Sequence, residues 1–362
     1  MRDLNPAQAD DPFDIITLAD GSGGEQTHQL LNEIFLPLLE SSDHPLHHDS
    51  GHWQANRERW CVSTDSYVVS PLEFPGGDIG RLCAIGTAND LAMGGAQPRY
   101  LSAGFIIEEG FKKARLKRLV GSFAKALQEC GFTLLAADTK VVGRGQADGL
   151  FINTTGLGPA LRDLNTESSN RRQSILSPLP SPLCIEVGDV VVVSGDIGRH
   201  GTCLLAAREG LEFSSPLLSD CANLAPAVAA LYAHLPHLQI HCLRDITRGG
   251  LATVLCELAE ASRTDWVIDE ANIPLNDSVR GACELFGLDP LHMACEGRMV
   301  VILPQAQAAS CIQCLQEQSP ENQPQIIGRV EALGSGTVHL RNPLGLKRYL
   351  ARLPGSPLPR IC

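Results

Sequence analysis

A polar, proline-rich stretch near the middle of the chain divides the sequence into two halves of domain size. Residues 163–182 are rich in Ser, Asn, Arg and Pro and end in Ser177-Pro-Leu-Pro-Ser-Pro182. Such a composition is typical of a linker or a surface insertion, and each flank has the length of one ordinary domain. We therefore expect an N-terminal domain at 1–162, a C-terminal domain at 183–351 and a tail at 352–362.

Strand-like and helix-like segments alternate on both sides of this stretch. Short apolar runs predict strands, and apolar residues at helical spacing predict helices. Both halves are therefore predicted to be α+β, each a sheet covered by helices, with a hairpin formed by 338–340 and 347–350. The predicted strands are 60–69, 100–107, 133–137, 150–156, 189–194, 266–268, 299–303 and 325–330, and the predicted helices are 79–93, 112–130, 201–209, 221–234, 250–262, 276–286 and 305–317.

Charge and cysteine content restrict the partners and the compartment. The net charge is −12, from 29 basic and 41 acidic residues, which disfavours a nucleic-acid partner. No apolar run has the length of a membrane span, and the acidic start lacks the features of a signal peptide. The 13 cysteines are scattered and odd in number, which indicates free thiols rather than a disulfide framework. We expect a cytoplasmic protein that binds neither nucleic acid nor membrane.

Acidic residues at the ends of predicted strands and helices are the main candidates for chemistry. Asp65, Asp90 and Asp138 each lie where an apolar segment meets a turn or a helix, and Lys140 follows two residues after Asp138. Such carboxylates suit Mg²⁺, which bridges to substrate phosphates, and a nearby lysine neutralises phosphate charge during transfer. The alternative for each aspartate is a helix cap or a turn former.

Two glycine-rich segments supply main-chain donors. Asp20-Gly-Ser-Gly-Gly24 leads into a helix predicted to begin near Glu25, whose free amides can receive an anion. The segment matches neither the Walker nor the dinucleotide spacing. Arg244-Asp-Ile-Thr-Arg-Gly-Gly-Leu251 also opens a predicted helix, and Asp245 is a candidate fourth magnesium ligand. The alternative is a helix cap followed by glycines needed for close packing.

Two further clusters favour structural interpretations. Residues 41–59 have no apolar periodicity and are predicted to form a loop; its histidines, at 44, 47, 48 and 52, are candidate metal ligands, but loop imidazoles are more often solvated. Cys311 and Cys314 form a single C-x-x-C pair on a predicted helix. Because no second pair follows at zinc-site spacing, we interpret them as two small apolar groups on one helical face.

The end of the sequence has a cysteine on an extended arm. Residues 353–362 contain three prolines and one glycine and finish with Cys362. Prolines keep a segment extended, so this tail is predicted to be a semi-rigid arm that carries a thiol into an active site. The alternative is a frayed terminus whose cysteine has no role.

These motifs together resemble the HypE family of hydrogenase maturation proteins. The resemblance covers residues 14–362 apart from the two insertion-like stretches, and some motifs are shared with a wider ATP-using superfamily that includes selenophosphate synthetase and thiamine monophosphate kinase. The terminal Pro-Arg-Ile-Cys is specific to HypE. The motifs are Ser63-Thr-Asp-Ser66, Gly86-Thr-Ala-Asn-Asp-Leu91, Asp138-Thr-Lys-Val-Val142, Asp245-Ile-Thr-Arg-Gly-Gly-Leu251 and Pro359-Arg-Ile-Cys362.

The resemblance implies a two-domain aminoimidazole ribonucleotide synthetase-like (PurM-like) fold with a flexible C-terminal tail, and a specific reaction. A carbamoyltransferase, HypF, loads Cys362; ATP phosphorylates the amide oxygen; loss of phosphate leaves a thiocyanate, and the cyano group passes to iron on a HypC–HypD complex. The family is homodimeric through the N-terminal domains, with ATP near that interface.

The resemblance also implies roles for individual residues. Glu296 is the implied base, and Lys140 is implied to steady the phosphoryl group. The implied ATP and Mg²⁺ site comprises Gly23, Gly24, Asp65, Asp90, Asp138, Thr139, Lys140 and Asp245, with the four aspartates as metal ligands.

Two positions depart from the family pattern. Ala19-Asp20-Gly21 stands where relatives typically have Ala-His-Gly, and Ala294-Cys295-Glu296-Gly297 where they typically have Ala-Asn-Glu-Gly. Neither position changes Cys362, Glu296 or Lys140. Two alternative functions remain open: a kinase or synthetase of the same superfamily that acts on a diffusible substrate, and a non-catalytic scaffold or metal carrier that uses the histidine-rich stretch.

Overall fold

The first half of the chain forms a five-stranded sheet with helices on one face. The computed structural model describes residues 24–35, 51–55, 58–161, 179–211, 217–234, 239–355 and 360–362. The strands of this half are β1 (Gly51–Ala55), β2 (Glu58–Tyr67), β3 (Glu73–Phe74), β4 (Gly77–Asp78), β5 (Tyr100–Glu108), β6 (Thr133–Val142) and β7 (Leu150–Pro159), and the helices are α1 (Glu25–Leu30), α2 (Ile79–Met93) and α3 (Lys113–Cys130).

The sheet order places β6 at an edge. The order is β1-β2-β7-β5-β6, with β3 and β4 forming a separate small hairpin. Only the β5–β6 pair is parallel. Along β2, Cys61, Ser63 and Tyr67 are buried under the helices, whereas Thr64 and Ser66 on the opposite face are exposed, as expected for a sheet covered on one side. Every residue of β6 except the last is exposed.

The second half forms a seven-stranded sheet covered on both faces. Its order is β14-β13-β10-β12-β8-β11-β9, and only β10 and β13 are parallel. Val191 and Val193 contact one apolar core, Val190 and Val192 the other. The strands are β8 (Asp189–Val193), β9 (Cys242–Asp245), β10 (Thr264–Asp269), β11 (Met299–Pro304), β12 (Gln325–Leu333), β13 (Val338–Arg341) and β14 (Lys347–Tyr349), and the helices are α4 (Arg199–Glu209), α5 (Ala225–His234), α6 (Gly250–Ser262), α7 (Asp277–Phe286) and α8 (Ala308–Gln318).

Helix α2 lies between the two halves. It packs against β2, β7 and α3 of its own half and against α5 and β9 of the other. Nearly all of its residues are buried, which explains why its apolar residues are not confined to one stripe. Asp78 caps the helix by accepting a hydrogen bond from the Arg81 amide at 2.9 Å. The helix therefore connects the cores of both domains.

Most predicted helices and strands are confirmed, but four strands, β1, β3, β4 and β9, were not predicted. The loop predicted at 41–59 is wrong for its last part, because Gly51–Ala55 pairs as β1 with β2. The short strand β9 was not predicted, and β6 and β7 extend beyond their predicted ends. The predicted linker lies largely outside the described residues; its last part leads into a 3₁₀ turn at Pro182–Cys184. No helix in the described part of the chain is both long and apolar enough for a transmembrane segment.

The close approach of α2 and α3 gives a stability prediction. A Cβ on Gly80 would lie 2.1 Å from the Leu119 carbonyl oxygen, whereas one on the exposed Gly121 of α3 would meet nothing within 4 Å. We expect Gly80→Ala to lower the free energy of unfolding by about 1–3 kcal/mol. Gly121→Ala should raise it by about 0.5–1 kcal/mol. Urea unfolding measures both, and equal effects of the two substitutions would contradict the packing described.

Candidate active site

The last three residues of the sequence lie along the segment that follows β2. The Val68 amide donates to the Cys362 main-chain oxygen at 2.8 Å, and the Ser70 amide donates to the Arg360 oxygen at 3.1 Å. The Arg360 guanidinium donates in turn to the Val68 oxygen at 2.9 Å. Ile361 and Cys362 are buried. The structure thus places the predicted carrier thiol inside the protein, while the mobility of the tail stays a prediction.

The Cys362 thiol lies among acidic groups and one guanidinium. Burial raises its pKa well above the ordinary value for cysteine; Arg248 opposes this shift, whereas Asp65, Glu296 and Asp90 add to it. The thiolate is therefore disfavoured while the tail is docked. A buried, protonated thiol is a weak nucleophile. This state suits a cysteine that brings an already attached group into the site better than one that must attack a substrate there.

Arg248 is a site residue that we did not predict, although it lies within one of the quoted motifs. Its pKa is raised, chiefly by Cys362, and also by Asp65, Glu296 and Asp90, so it is the cation among these acidic groups. Gly249 and Gly250 follow with φ of +75° and +65°, a region that favours glycine. A Cβ on Gly250 would lie 2.5 Å from the Leu291 oxygen. The paired glycines therefore allow α6 to begin directly after Arg248.

Glu296 occupies a buried position just before β11. Its Oε1 atom has no hydrogen-bond partner. Burial raises the pKa of its carboxyl well above the usual range, and Asp245, Asp220 and Asp65 add to the rise, while Arg248 opposes it. The neutral acid form is therefore favoured when the site holds no other cation. A buried carboxyl with a raised pKa is typical of groups used in acid–base chemistry.

Main-chain contacts from both domains fix the position of Glu296. Its amide donates to Asp220 Oδ1 at 2.9 Å, and Asn89 Nδ2 of α2 donates to its carbonyl oxygen at 3.3 Å. Asn89 also accepts a hydrogen bond from the Leu224 amide at 2.8 Å. Asn89 was part of a quoted motif but was not assigned a role, and Asp220 carried no sequence signal. The proposed base is thus positioned by residues distant in sequence.

Three of the four predicted carboxylates lie around these buried groups. Asp65 is on β2 and accepts from the Ser66 amide at 2.7 Å, and Asp90 on α2 accepts from Ser63 Oγ at 2.5 Å. Asp245 ends β9 opposite Met299, the first residue of β11, so it lies at the same sheet edge as the segment that carries Glu296. Asp65 and Asp90 both influence the Cys362 thiol, and Asp65 and Asp245 both influence Glu296.

A glycine in α2 explains how the helix reaches β2. A Cβ at Gly86 would lie 2.3 Å from the Tyr67 hydroxyl oxygen. Tyr67 is buried on β2, and its hydroxyl lies 3.4 Å from Thr87 Oγ1. Any larger residue at position 86 would push α2 away from the strand. This glycine therefore positions Asn89 and Asp90, one turn further along the helix, against β2 and the second domain.

Asp138, the fourth predicted carboxylate, and the nearby Lys140 do not lie beside the other three predicted carboxylates within one chain. Asp138, Thr139 and Lys140 lie on the exposed edge strand β6, where Lys140 Nζ pairs with Asp138. Across the sheet, Asp65 of β2 lies in line with Thr154 of β7, Ala103 of β5 and Ala137 of β6, so these four side chains share one face. Because side chains alternate along a strand, Asp138 and Lys140 of β6 face the opposite side of the sheet. Our expectation of one cluster containing Asp65, Asp90, Asp138 and Asp245 is thus not met by a single chain.

The described side chains do not by themselves form a complete site for a metal ion. Within the described ranges, no set of three or more His, Cys, Asp or Glu side chains is arranged to hold a metal ion. Mg²⁺ usually takes only one or two carboxylates together with substrate phosphates, so Asp65, Asp90 and Asp245 fit a cation that arrives with a nucleotide. His44, His47 and His48 lie outside the described residues.

The glycine-rich segment before α1 is described only from Gly24. The predicted helix start at Glu25 is confirmed. The amides of Glu25 and Gln26 donate to the carbonyl oxygens of Leu353 and Pro354 at 2.8 and 3.0 Å, so an anion would have to displace the beginning of the tail to reach these amides. Gly23 and Asp20 lie outside the described residues, and the nucleotide role of Gly23 and Gly24 stays a prediction.

The remaining cysteines are structural. All thirteen are free thiols, as predicted. Cys311 and Cys314 lie on the buried face of α8 and contact the apolar core. Cys295, which departs from the family pattern, accepts a hydrogen bond at Sγ from the Gly198 amide at 3.0 Å. The substituted side chain is therefore engaged away from the Glu296 carboxyl.

Comparisons with known proteins show the family to which the chain belongs. Residues 47–160 match the N-terminal domain and residues 186–341 the C-terminal domain of the AIR synthase related protein family. The carbamoyl dehydratase HypE of Rhodobacter capsulatus is 40% identical over 351 residues, which cover 96% of this chain and 98% of that protein.

Two solved structures extend the comparison over both domains. The crystal structure of a HypE–HypF complex has a TM-score of 0.78 at 36% identity and covers 90% of this chain and 99% of that one. HypE in complex with ATP has a TM-score of 0.76 at 39% identity, covering 96% and 100%. The resemblance and the PurM-like two-domain fold inferred from the motifs are confirmed. The chain belongs to the HypE family of carbamoyl dehydratases, within the AIR synthase related proteins.

Proposed function

We propose that this chain dehydrates, at the expense of ATP, a carbamoyl group carried on its own Cys362, and so supplies cyanide ligands for the iron of a [NiFe] hydrogenase. The observation that carries the proposal is the burial of Cys362 beside Asp65, Asp90 and Glu296. A buried carrier thiol that lies close enough to a proposed base and to proposed phosphate-site carboxylates to feel their charge is the arrangement that an intramolecular dehydration requires.

The chemistry removes the amide oxygen as phosphate. The carbonyl oxygen of the thiocarboxamide takes the γ-phosphoryl group of ATP and releases ADP. The C–O bond then breaks, the oxygen leaves with inorganic phosphate, and two protons lost from nitrogen leave a thiocyanate on Cys362. Glu296, as the carboxylate, accepts one of these protons, and the departing phosphate takes the other; the buried Glu296 side chain, with Oε1 unpartnered, has the chemistry for its step. Arg248 offsets the negative charge that accumulates beside the thiol.

The nucleotide enters with Mg²⁺ near the subunit interface. Asp65, Asp90 and Asp245 would bind the cation together with the phosphates. Because Asp138 and Lys140 face away from the other carboxylates within one chain, β6 of a second subunit would have to complete the site, with Lys140 steadying the transferred phosphoryl group. Support for ATP comes from the similar protein solved in complex with ATP.

Partner proteins are needed to attach the carbamoyl group to the Cys362 thiol and to remove the cyano group from it. A HypF carbamoyltransferase would load Cys362, and a similar protein has been solved in complex with HypF. A HypC–HypD complex would take the cyano group. The thirteen free thiols suit a reducing compartment, and we place the reaction in the cytoplasm. A diffusible substrate and a non-catalytic metal carrier are not favoured, because neither uses a docked terminal thiol.

A homodimer would form along β6. Among the described strands, β6 pairs only with β5, and it has exposed apolar residues, with Leu135 63% and Val141 68% exposed. Exposed apolar edge strands readily pair with a second copy of the same strand. Such a pairing would also cover Asp138 and Lys140, which lie on the same strand.

Mass spectrometry tests the proposed reaction. After incubation with HypF, carbamoyl phosphate and MgATP, the C-terminal peptide should carry a carbamoyl adduct on Cys362 that loses the mass of water only when ATP is present. Cys362→Ser should carry no adduct, whereas Cys184→Ser, which removes a half-buried thiol elsewhere, should behave as wild type. ATP hydrolysis without any adduct on Cys362 would instead indicate a diffusible substrate.

Substitution of Glu296 tests the base. Glu296→Gln keeps the shape and neutrality of the buried acid form, so we expect an intact fold and a dehydration rate at least about 100-fold lower in a single turnover. Because the raised pKa keeps Glu296 protonated at low pH, the wild-type rate should rise with pH up to values above those at which an exposed glutamate titrates. Glu257→Gln, on α6 and paired with Arg244, is the control. An unchanged rate in Glu296→Gln would exclude it as the base.

Light scattering tests the dimer. Val141→Asp places a charge on the exposed strand β6 and should convert a dimer of the wild-type chain to a monomer at micromolar concentration. Leu333→Asp, at a site on β12 that is 79% exposed, should leave the mass unchanged. A monomeric wild-type chain would contradict the proposed interface.

A further inference from the structure

Two side chains of α4 hold the main chain of the docked tail. His200 Nε2 lies 2.6 Å from the Ile361 carbonyl oxygen. Arg208 donates through Nη2 to the Arg360 oxygen and through Nε to the Ser70 oxygen, both at 2.7 Å. We call His200 and Arg208 the tail clamp. The clamp belongs to the C-terminal domain, whereas Ser70 belongs to the N-terminal domain, so the tail is held at the junction of the two.

The orientation of His200 is fixed by its surroundings. The ring is fully buried, and Nδ1 lies 2.7 Å from Ser219 Oγ. The edge of the ring packs against Phe74, with the ring centroids 5.2 Å apart. Because a carbonyl oxygen only accepts, Nε2 carries the proton that is shared with Ile361, and a neutral ring then accepts at Nδ1 from the Ser219 hydroxyl. Both ring nitrogens are satisfied only while the tail is docked.

The tail clamp recognises the main chain rather than the cargo. Its two hydrogen bonds to the tail go to the carbonyl oxygens of Ile361 and Arg360, and neither goes to the Cys362 side chain. The thiol, the carbamoyl adduct and the thiocyanate therefore present the same atoms to His200 and Arg208. Since docked Cys362 is only 7% exposed, any enzyme that loads the thiol from outside requires the tail to leave.

We propose that His200 and Arg208 are positioning residues that set the balance between the docked tail, which is competent for dehydration, and the released tail, which is competent for loading. This inference rests on the proposed function. It assigns opposite effects to the loss of one clamp contact: loading of Cys362 becomes faster, and ATP-dependent dehydration of the loaded thiol becomes slower. A residue needed only for folding would slow both steps.

Thiol accessibility tests the tail clamp without any carbamoyl chemistry. Alkylation of Cys362 by iodoacetamide in the full-length chain, followed by peptide mapping, measures the released population. Arg208→Gln and His200→Leu should each speed alkylation by about two- to tenfold, the population change expected from one lost hydrogen bond. His200→Gln keeps a donor near the position of Nε2 and should restore most of the protection.

Arg199→Gln is the matched control. It removes a guanidinium from the same helix, but Arg199 pairs with Asp196 and with none of the described tail residues, so alkylation should stay at the wild-type rate. Far-ultraviolet circular dichroism and thermal unfolding verify the fold of each variant. Unchanged alkylation of folded Arg208→Gln and His200→Leu would overturn the inference.

The two half-reactions complete the test. In Arg208→Gln, carbamoyl transfer from HypF and carbamoyl phosphate should be faster than in the wild type, and single-turnover dehydration of the purified carbamoyl protein should be about two- to tenfold slower. A parallel fall of both rates would overturn the clamp and leave the proposed function standing. Faster alkylation of Cys362 without any carbamoyl transfer in the wild type would support the clamp and reject the proposed function.

Discussion

The packing of helix α2 between the two domains is the constraint on which the site depends. The helix is buried against β2 and β7 on one side and against α5 and β9 on the other. Asn89 and Asp90 lie next to one another near its C-terminal end. Asn89 bonds to the second domain at Ala222, Leu224 and Glu296, while Asp90 accepts from Ser63 of β2. A shift between the domains would therefore separate Glu296 from Asp65, from Asp90 and from the tail.

Burial gives the site its chemistry. Burial, and after it the acidic groups from four parts of the chain, raises the pKa values of Cys362 and Glu296 and holds both groups in their protonated forms. Arg248 is the cation among them. Because burial raises the pKa of Cys362, the docked thiol is held in its protonated, weakly nucleophilic form. The same burial protects the cargo from water.

The sequence predicted the elements with strong periodicity and the residues with recognisable motifs. The strands of both sheets and the helices follow from apolar spacing, and Cys362 and Glu296 follow from the family motifs. Strand β1 was missed because its polar, histidine-containing sequence lacks strand periodicity; it is defined by pairing with β2. Strand β9 is short and ends at Asp245, where the motif suggested only a helix start.

The sequence did not predict the contacts between residues that are far apart in the chain. His200 meets Ile361 across 161 positions, and Asn89 meets Glu296 across 207. No local pattern encodes such pairs. The sequence also could not determine on which face of the sheet Asp138 and Lys140 lie, because a strand alternates its side chains and only the register with β5 and β7 fixes the face.

The central claim is that the oxygen of the carbamoyl group leaves as phosphate while the carbon stays on Cys362. The most direct measurement is a single turnover of protein whose Cys362 carries an oxygen-18-labelled carboxamide, with unlabelled MgATP and water. The account predicts that the label appears in inorganic phosphate and that the C-terminal peptide retains carbon and nitrogen as thiocyanate. Label that remains on the peptide or appears in water, while ATP is hydrolysed, would contradict it.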